Sequence, residues 1–148
     1  MAKQVSVTAA AGLMSEGWRY LDVRSVPEFE AGHPAGAVNV PLAHAQAQGG
    51  RLVPNPDFTQ IIAAHFAPDD PLLVGCKMGG RAAQAAALLE ASGFTQVIQV
   101  RGGFVGERDP FGRVEAQGWV DAGLPVAKQA LPGRSYADLV PPRAAGPG

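Results

Sequence analysis

The chain has a single cysteine, Cys76, among its 148 residues. That scarcity rules out an internal disulfide framework and a multi-cysteine metal site. The formal net charge is only -1 and 17% of residues are charged, so no broad electrostatic field for nucleic acid or a membrane surface is present. No apolar run approaches the roughly 20 residues of a membrane span. Met1 to Ser6 lack the apolar stretch of a signal peptide, and the expectation is a reducing, cytoplasmic setting. His44 and His65 show no ligand partner or spacing, so neither a metal nor a cofactor is expected. The composition that remains, 47% hydrophobic, suits one soluble domain with a substantial core.

Short apolar runs alternate with helical segments. Residues 4–7, 18–23, 37–40, 72–75 and 97–100 read as strands. Helices are expected over residues 8–15 with Thr8 as N-cap, over 27–31 after Ser25, from Asn55 to about Phe66, over 81–92 before the C′ glycine Gly93, and over 116–122. This order predicts an α/β fold with a mostly parallel, helix-covered sheet. Residues 46–56 read as a polar surface connection. The domain is expected over residues 1–127, followed by a Pro/Gly-rich tail over 128–148 that is flexible or laid along the surface.

The run Val74-Gly75-Cys76-Lys77-Met78-Gly79-Gly80-Arg81 carries the chemistry. It joins an apolar strand to an alanine-rich helix. A free thiol ionises near pH ~8.5, and helix N-termini and adjacent cations draw thiols into the range ~3.5–7.5. Cys76 has such influences available: the N–H groups that open the helix, two glycines that let the loop curl into an anion nest, and the charges of Lys77 and Arg81. The alternative for Cys76 is a buried small hydrophobe, but glycines and cations are unusual neighbours for a core position.

Leu21-Asp22-Val23-Arg24, Glu28-Phe29, Gly32-His33-Pro34-Ala35-Gly36-Ala37-Val38-Asn39-Val40-Pro41, the loop from Cys76 to Arg81, and Arg101-Gly102-Gly103-Phe104 follow in an order and spacing that resemble the rhodanese family of sulfurtransferases. The likeness covers residues 5–126. It implies a single rhodanese-like domain with a five-stranded parallel sheet and helices on both faces. It also implies a sulfur relay in which Cys76 takes a sulfane sulfur from a small donor such as thiosulfate. The persulfide is then discharged to a thiophilic acceptor, cyanide or an external thiol or protein. The N–H groups of Lys77, Met78, Gly79, Gly80 and Arg81 would hold the sulfur. Lys77 either binds the sulfite end of thiosulfate or is a solvated lysine, and Arg81 either binds the anion or pairs with a carboxylate. Sulfurtransferases of this fold have four residues between the cysteine and the last loop position, phosphatases five; here there are four, Lys77 to Gly80.

Asp22 and Arg24 are possible supporting residues. Asp22 stands at a strand's C-terminal end and would bond the loop or a cation, and Arg24 and Glu28 are expected to pair with each other. Two-domain family members place a substrate-binding arginine near Glu28, a task a carboxylate cannot do. His33 and Asn39 read as structural and Trp119 as a core anchor. Residues 104–118 read as a surface excursion that, as the alternative, shapes donor access. Two other functions stay open: a sulfur carrier that docks on one partner protein, and a phosphatase or arsenate reductase on the same fold. With no second cysteine, sulfur must leave to an external acceptor, and over-oxidation of Cys76 has no internal rescue.

Overall fold

The structure, a computed structural model, describes residues 3–45 and 51–140. Strands β1 (Lys3–Val5), β2 (Arg19–Asp22), β3 (Val38–Asn39), β4 (Leu72–Gly75) and β5 (Val97–Val100) form one parallel sheet in the order β1-β5-β4-β2-β3. The helices are α1 (Val7–Ser15), α2 (Val26–Ala31), α3 (Phe58–His65), α4 (Gly80–Ala91) and α5 (Tyr136–Leu139). None of them is long and apolar enough to cross a membrane.

The apolar run of β4 follows from its central place. Leu72 and Val74 join Ile61, Ile62, Ala82, Ala86 and Leu89 in one core, built from α3 and α4. Leu73 points into the other, with Val7, Ala10, Tyr20, Phe29 and Trp119. A strand buried on both faces has no polar side to alternate with. Trp119 anchors the second core, with its ring edge-on to Tyr20 at 5.6 Å and its indole N–H donating to Pro125 O at 2.7 Å. Tyr20 is fully enclosed, and burial, reinforced by Asp22, pushes its phenol far above the ordinary range.

Several boundaries differ from expectation. The cap of α1 is Ser6, whose Oγ accepts from Ala9 N at 3.2 Å, and not Thr8. No helix covers residues 116–122. Val114–Ala116 is instead a strand antiparallel to Glu107–Arg108, because Asp109 closes the turn between them, its Oδ1 accepting from Phe111 N and Arg113 N at 2.9 Å each. Within residues 46–56, Leu52–Pro54 pairs with Ala43–Ala45, and 46–50 fall outside the described residues. Beyond residue 127, Arg134 O accepts from Asn39 N at the edge of β3, and Leu139 is buried in the first core. The tail expectation for 141–148 also falls outside the described residues.

Candidate active site

Parallel sheets place their ligand crevices at the C-terminal ends of the strands. Here that edge brings together Cys76 after β4, Asp22 and Arg24 at the end of β2, and Arg101 after β5. Cys76 is 2% exposed. Its Sγ accepts from Gly79 N at 3.0 Å and Ala82 N at 3.4 Å. Gly79 is the N-cap of α4 and has no side chain with which to cap it. The cysteine sulfur therefore does what an N-cap oxygen does elsewhere, accepting an otherwise unpaired N–H of the helix's first turn. Gly79 reaches this geometry with φ +134°, a region that L side chains rarely adopt. The loop N–H groups expected at the sulfur thus resolve to Gly79 and to Ala82, one residue beyond the anticipated set. Lys77 and Met78 are exposed beside Cys76, as is Gly80.

Arg81 and Glu28 form a two-pronged pair, Nη1–Oε1 at 2.6 Å and Nη2–Oε2 at 3.0 Å. Glu28 Oε1 also accepts from Ser25 N at 3.2 Å and Ser25 Oγ at 2.9 Å, which caps α2. Burial alone would raise the Glu28 carboxyl. The hydrogen bonds from Arg81 and Ser25 outweigh it and hold the group at about 2. The same bonds hold the Arg81 guanidinium above its ordinary value, against the opposing effect of burial.

The expected Arg24–Glu28 pair does not form. Arg24 turns inward to Asp22, Nη2–Oδ2 2.6 Å with side chains 5% and 1% exposed, because a two-residue separation past the strand end lets the guanidinium fold back on the carboxylate. It also donates to Gly32 O at 2.7 Å and covers the Phe104 ring at 4.4 Å. Asp22 bonds Arg24 and not the cysteine loop. His33 lies stacked on Phe29 with Nδ1 donating to Phe29 O. Asn39 ties the strand end by donating to Asp22 O and Arg24 O at 3.0 Å each. Among the described residues no group of three His, Cys, Asp or Glu could hold a metal ion.

The turn after β5 braces the loop from behind. Phe104 N donates to Cys76 O at 2.8 Å and Val105 N to Lys77 O at 3.0 Å. Gly103, at φ +60°, lies so close to both carbonyls that a Cβ there would collide with them. Gln99 Nε2 donates to Gly79 O at 3.3 Å. Glu107 Oε2 accepts from Gly102 N at 3.0 Å and lies beside Gly79. Residues 104–118 therefore reach the loop at Phe104, Val105 and Glu107, whereas their tip carries the exposed Phe111. Arg81 takes the second of its two expected roles, a pair with a carboxylate, but neither Glu28 as that partner nor Gln99 was anticipated from the sequence. Only the Ser25-x-x-Glu28 capping spacing hinted that Glu28 was committed elsewhere.

These elements define a parallel α/β domain with a cysteine cradled at a helix N-terminus, at the C-terminal edge of the sheet. The rhodanese-like domain family matches residues 6–107, and the chain belongs to that family. It is 40% identical over 122 residues to Thiosulfate sulfurtransferase 16, chloroplastic, of Arabidopsis thaliana, covering 82% of this chain and 90% of that one. It is 39% identical over 101 residues to Senescence-associated protein DIN1 of Raphanus sativus, covering 68% of this chain but only 54% of the relative. The crystal structure of Rv0390 from M. tuberculosis superposes with TM-score 0.70 at 26% identity, covering 86% of this chain and 98% of that one.

Proposed function

We propose that the protein is a sulfurtransferase that carries sulfane sulfur as a Cys76 persulfide. The observation that carries this reading is the pair of N–H donors on Sγ, from Gly79 and Ala82. Both are positioned to hold a negative sulfur without rearrangement. The four-residue loop and the relative named a thiosulfate sulfurtransferase support sulfur over phosphoryl transfer.

In the first step the Cys76 thiolate attacks the outer sulfur of the donor. With thiosulfate, an Sγ–S bond forms, the S–S bond of thiosulfate breaks, and its electron pair leaves with sulfite. In the second step an acceptor nucleophile attacks the outer persulfide sulfur, the Sγ–S bond breaks, and its electron pair returns to Sγ. Lys77, exposed beside Cys76, meets the anionic end of the donor. Arg81, paired with Glu28, holds the loop against α2 and does not present a free cation. Such a thiol works in a reducing compartment such as the cytoplasm.

The test is thiosulfate-to-cyanide transfer by the wild type and Cys76→Ser. Turnover lost in the variant supports the enzyme, and turnover that survives in it sinks the reading. One observation favours a carrier as the second reading. With Arg81 neutralised by Glu28, the loop offers thiosulfate less positive charge, so turnover with that donor would be slow. A persulfide visible by intact mass without turnover would identify the carrier.

A further inference from the structure

Gln99 is a polar residue in an apolar place. Side chains alternate between the two faces of β5. Val97 lies in the core built from α3 and α4, and Val100 lies in the other. Gln99 therefore shares the face of Val97, toward α4, and it is buried. A buried amide is tolerated where its hydrogen bonds are met. Its Nε2 donates to Gly79 O at 3.3 Å. Its Oε1 accepts from Gln4 Nε2 at 3.5 Å, and Gln4 is its partner in the register of β1 with β5. The bond from Gln4 fixes which end of the amide faces Gly79.

Gly79 is the residue at which this restraint matters. It caps α4 and donates the shorter of the two hydrogen bonds on Sγ, 3.0 Å against 3.4 Å from Ala82. Its φ of +134° calls for glycine, the residue whose backbone also turns most freely. It has no side chain to hold it in place. Within α4 its carbonyl accepts from Ala83 N at 3.0 Å, but helix ends fray. Gln99 adds a second donor from an inner strand of the sheet. A rotation at Gly79 would swing its N–H off the sulfur.

We propose that Gln99 is a positioning residue for sulfur discharge, pinning Gly79 so that its N–H meets the charge that returns to Sγ. The proposal rests on the sulfurtransferase reading. In discharge the acceptor attacks the outer sulfur, the Sγ–S bond breaks, and its electron pair goes to Sγ. Negative charge grows on the atom that the Gly79 N–H faces, so a well-placed N–H lowers that barrier. In charging, the ionised Sγ gives its electron pair to the new bond, and sulfite leaves with the pair from the S–S bond of thiosulfate. The same N–H does not assist there, and a slack cradle leaves the thiolate slightly more nucleophilic. Loss of Gln99 should therefore separate the two half-reactions.

The test follows each half-reaction by intact mass of acid-quenched samples of the full chain, at about pH 9.5, a unit above the ordinary thiol value. Charging uses thiosulfate, and discharge uses the desalted persulfide with cyanide. Gln99→Met removes the N–H donor at nearly constant length. It should slow discharge about tenfold and leave charging within about twofold of the wild type. Gln99→Val, better suited to a strand, carries the same expectation if the first variant does not fold. Val97→Ala weakens the core on the same strand face and removes no side-chain hydrogen bond. It should lower thermal stability and keep the wild-type ratio of the two rates. An unchanged ratio in a folded Gln99 variant, or an equal fall in Val97→Ala, would overturn the positioning role while a wild-type persulfide left the sulfurtransferase reading standing. A wild type that forms no persulfide would overturn both.

Discussion

Replacing Glu28 by Gln removes one charge and keeps the side chain's size and its Oε1 acceptor for Ser25. It therefore isolates the pair with Arg81. A carboxyl held at about 2 against an ordinary 4.5 corresponds to about 3 kcal/mol if all of it appeared as stability. Glu28 is 29% exposed and Arg81 19%, so solvent screening reduces the expected loss to about 1–2 kcal/mol at pH 7. The sign follows from a depressed carboxyl. Its contribution is complete above 4.5, declines as pH falls, and is gone near 2. Urea denaturation of both proteins between pH 7 and pH 3 reads this directly: the wild type should be more stable at pH 7, and the gap should narrow below about 4.5. A gap under about 0.3 kcal/mol at pH 7, or one that does not change with pH, would refute the assignment. The substitution also frees the Arg81 guanidinium beside the cradle. KM for thiosulfate should fall about threefold, with the gain fading at high salt.

A Cβ at Gly75 would meet the Tyr20 hydroxyl. Gly75→Ala should cost about 1–3 kcal/mol in denaturation, and Tyr20→Phe in the same chain should recover part of it; no recovery would place the strain elsewhere. Gly103→Ala would push on the Cys76 and Lys77 carbonyls, so the rate of persulfide formation should drop about tenfold or more, as misplacement near chemistry does. An unchanged rate in a folded variant would remove the turn from the account. Ser6→Ala should cost about 1 kcal/mol through loss of the α1 cap and Thr8→Ala much less; equal losses would return the cap to Thr8.

The central fold was legible because its signals are local. The apolar run of β4, the glycines around Cys76 and the alanine helix closed by Gly93 are contiguous, and they place the loop at a strand-to-helix turn. The alternation of strands and helices then predicts the parallel sheet, and the family resemblance implies its five strands. What stayed hidden depends on contacts remote in sequence. Glu28 and Arg81 are 53 residues apart, and only the packing of α2 against the loop brings them together. The expected Arg24–Glu28 pair would bracket the short helix α2, but the buried carboxylate of Asp22 competes for the same guanidinium and prevails. Ala116 to Ala122 carries apolar residues at helix-like intervals. Gly118 nonetheless sits where a Cβ would strike the backbone at Val105 and Gly106, so the chain there is packed against the turn after β5 and not wound into a helix. Arg134, Tyr136 and Leu139 show no periodicity because each makes a separate contact with the domain.

The most direct test of the persulfide is intact-mass analysis of the full chain after exposure, separately, to thiosulfate and to 3-mercaptopyruvate. The wild type should gain one sulfur with at least one donor, removed by cyanide and missing in Cys76→Ser. A wild type that gains no sulfur from either donor, or a Cys76→Ser variant that gains it, would contradict the claim that this cysteine carries the sulfur.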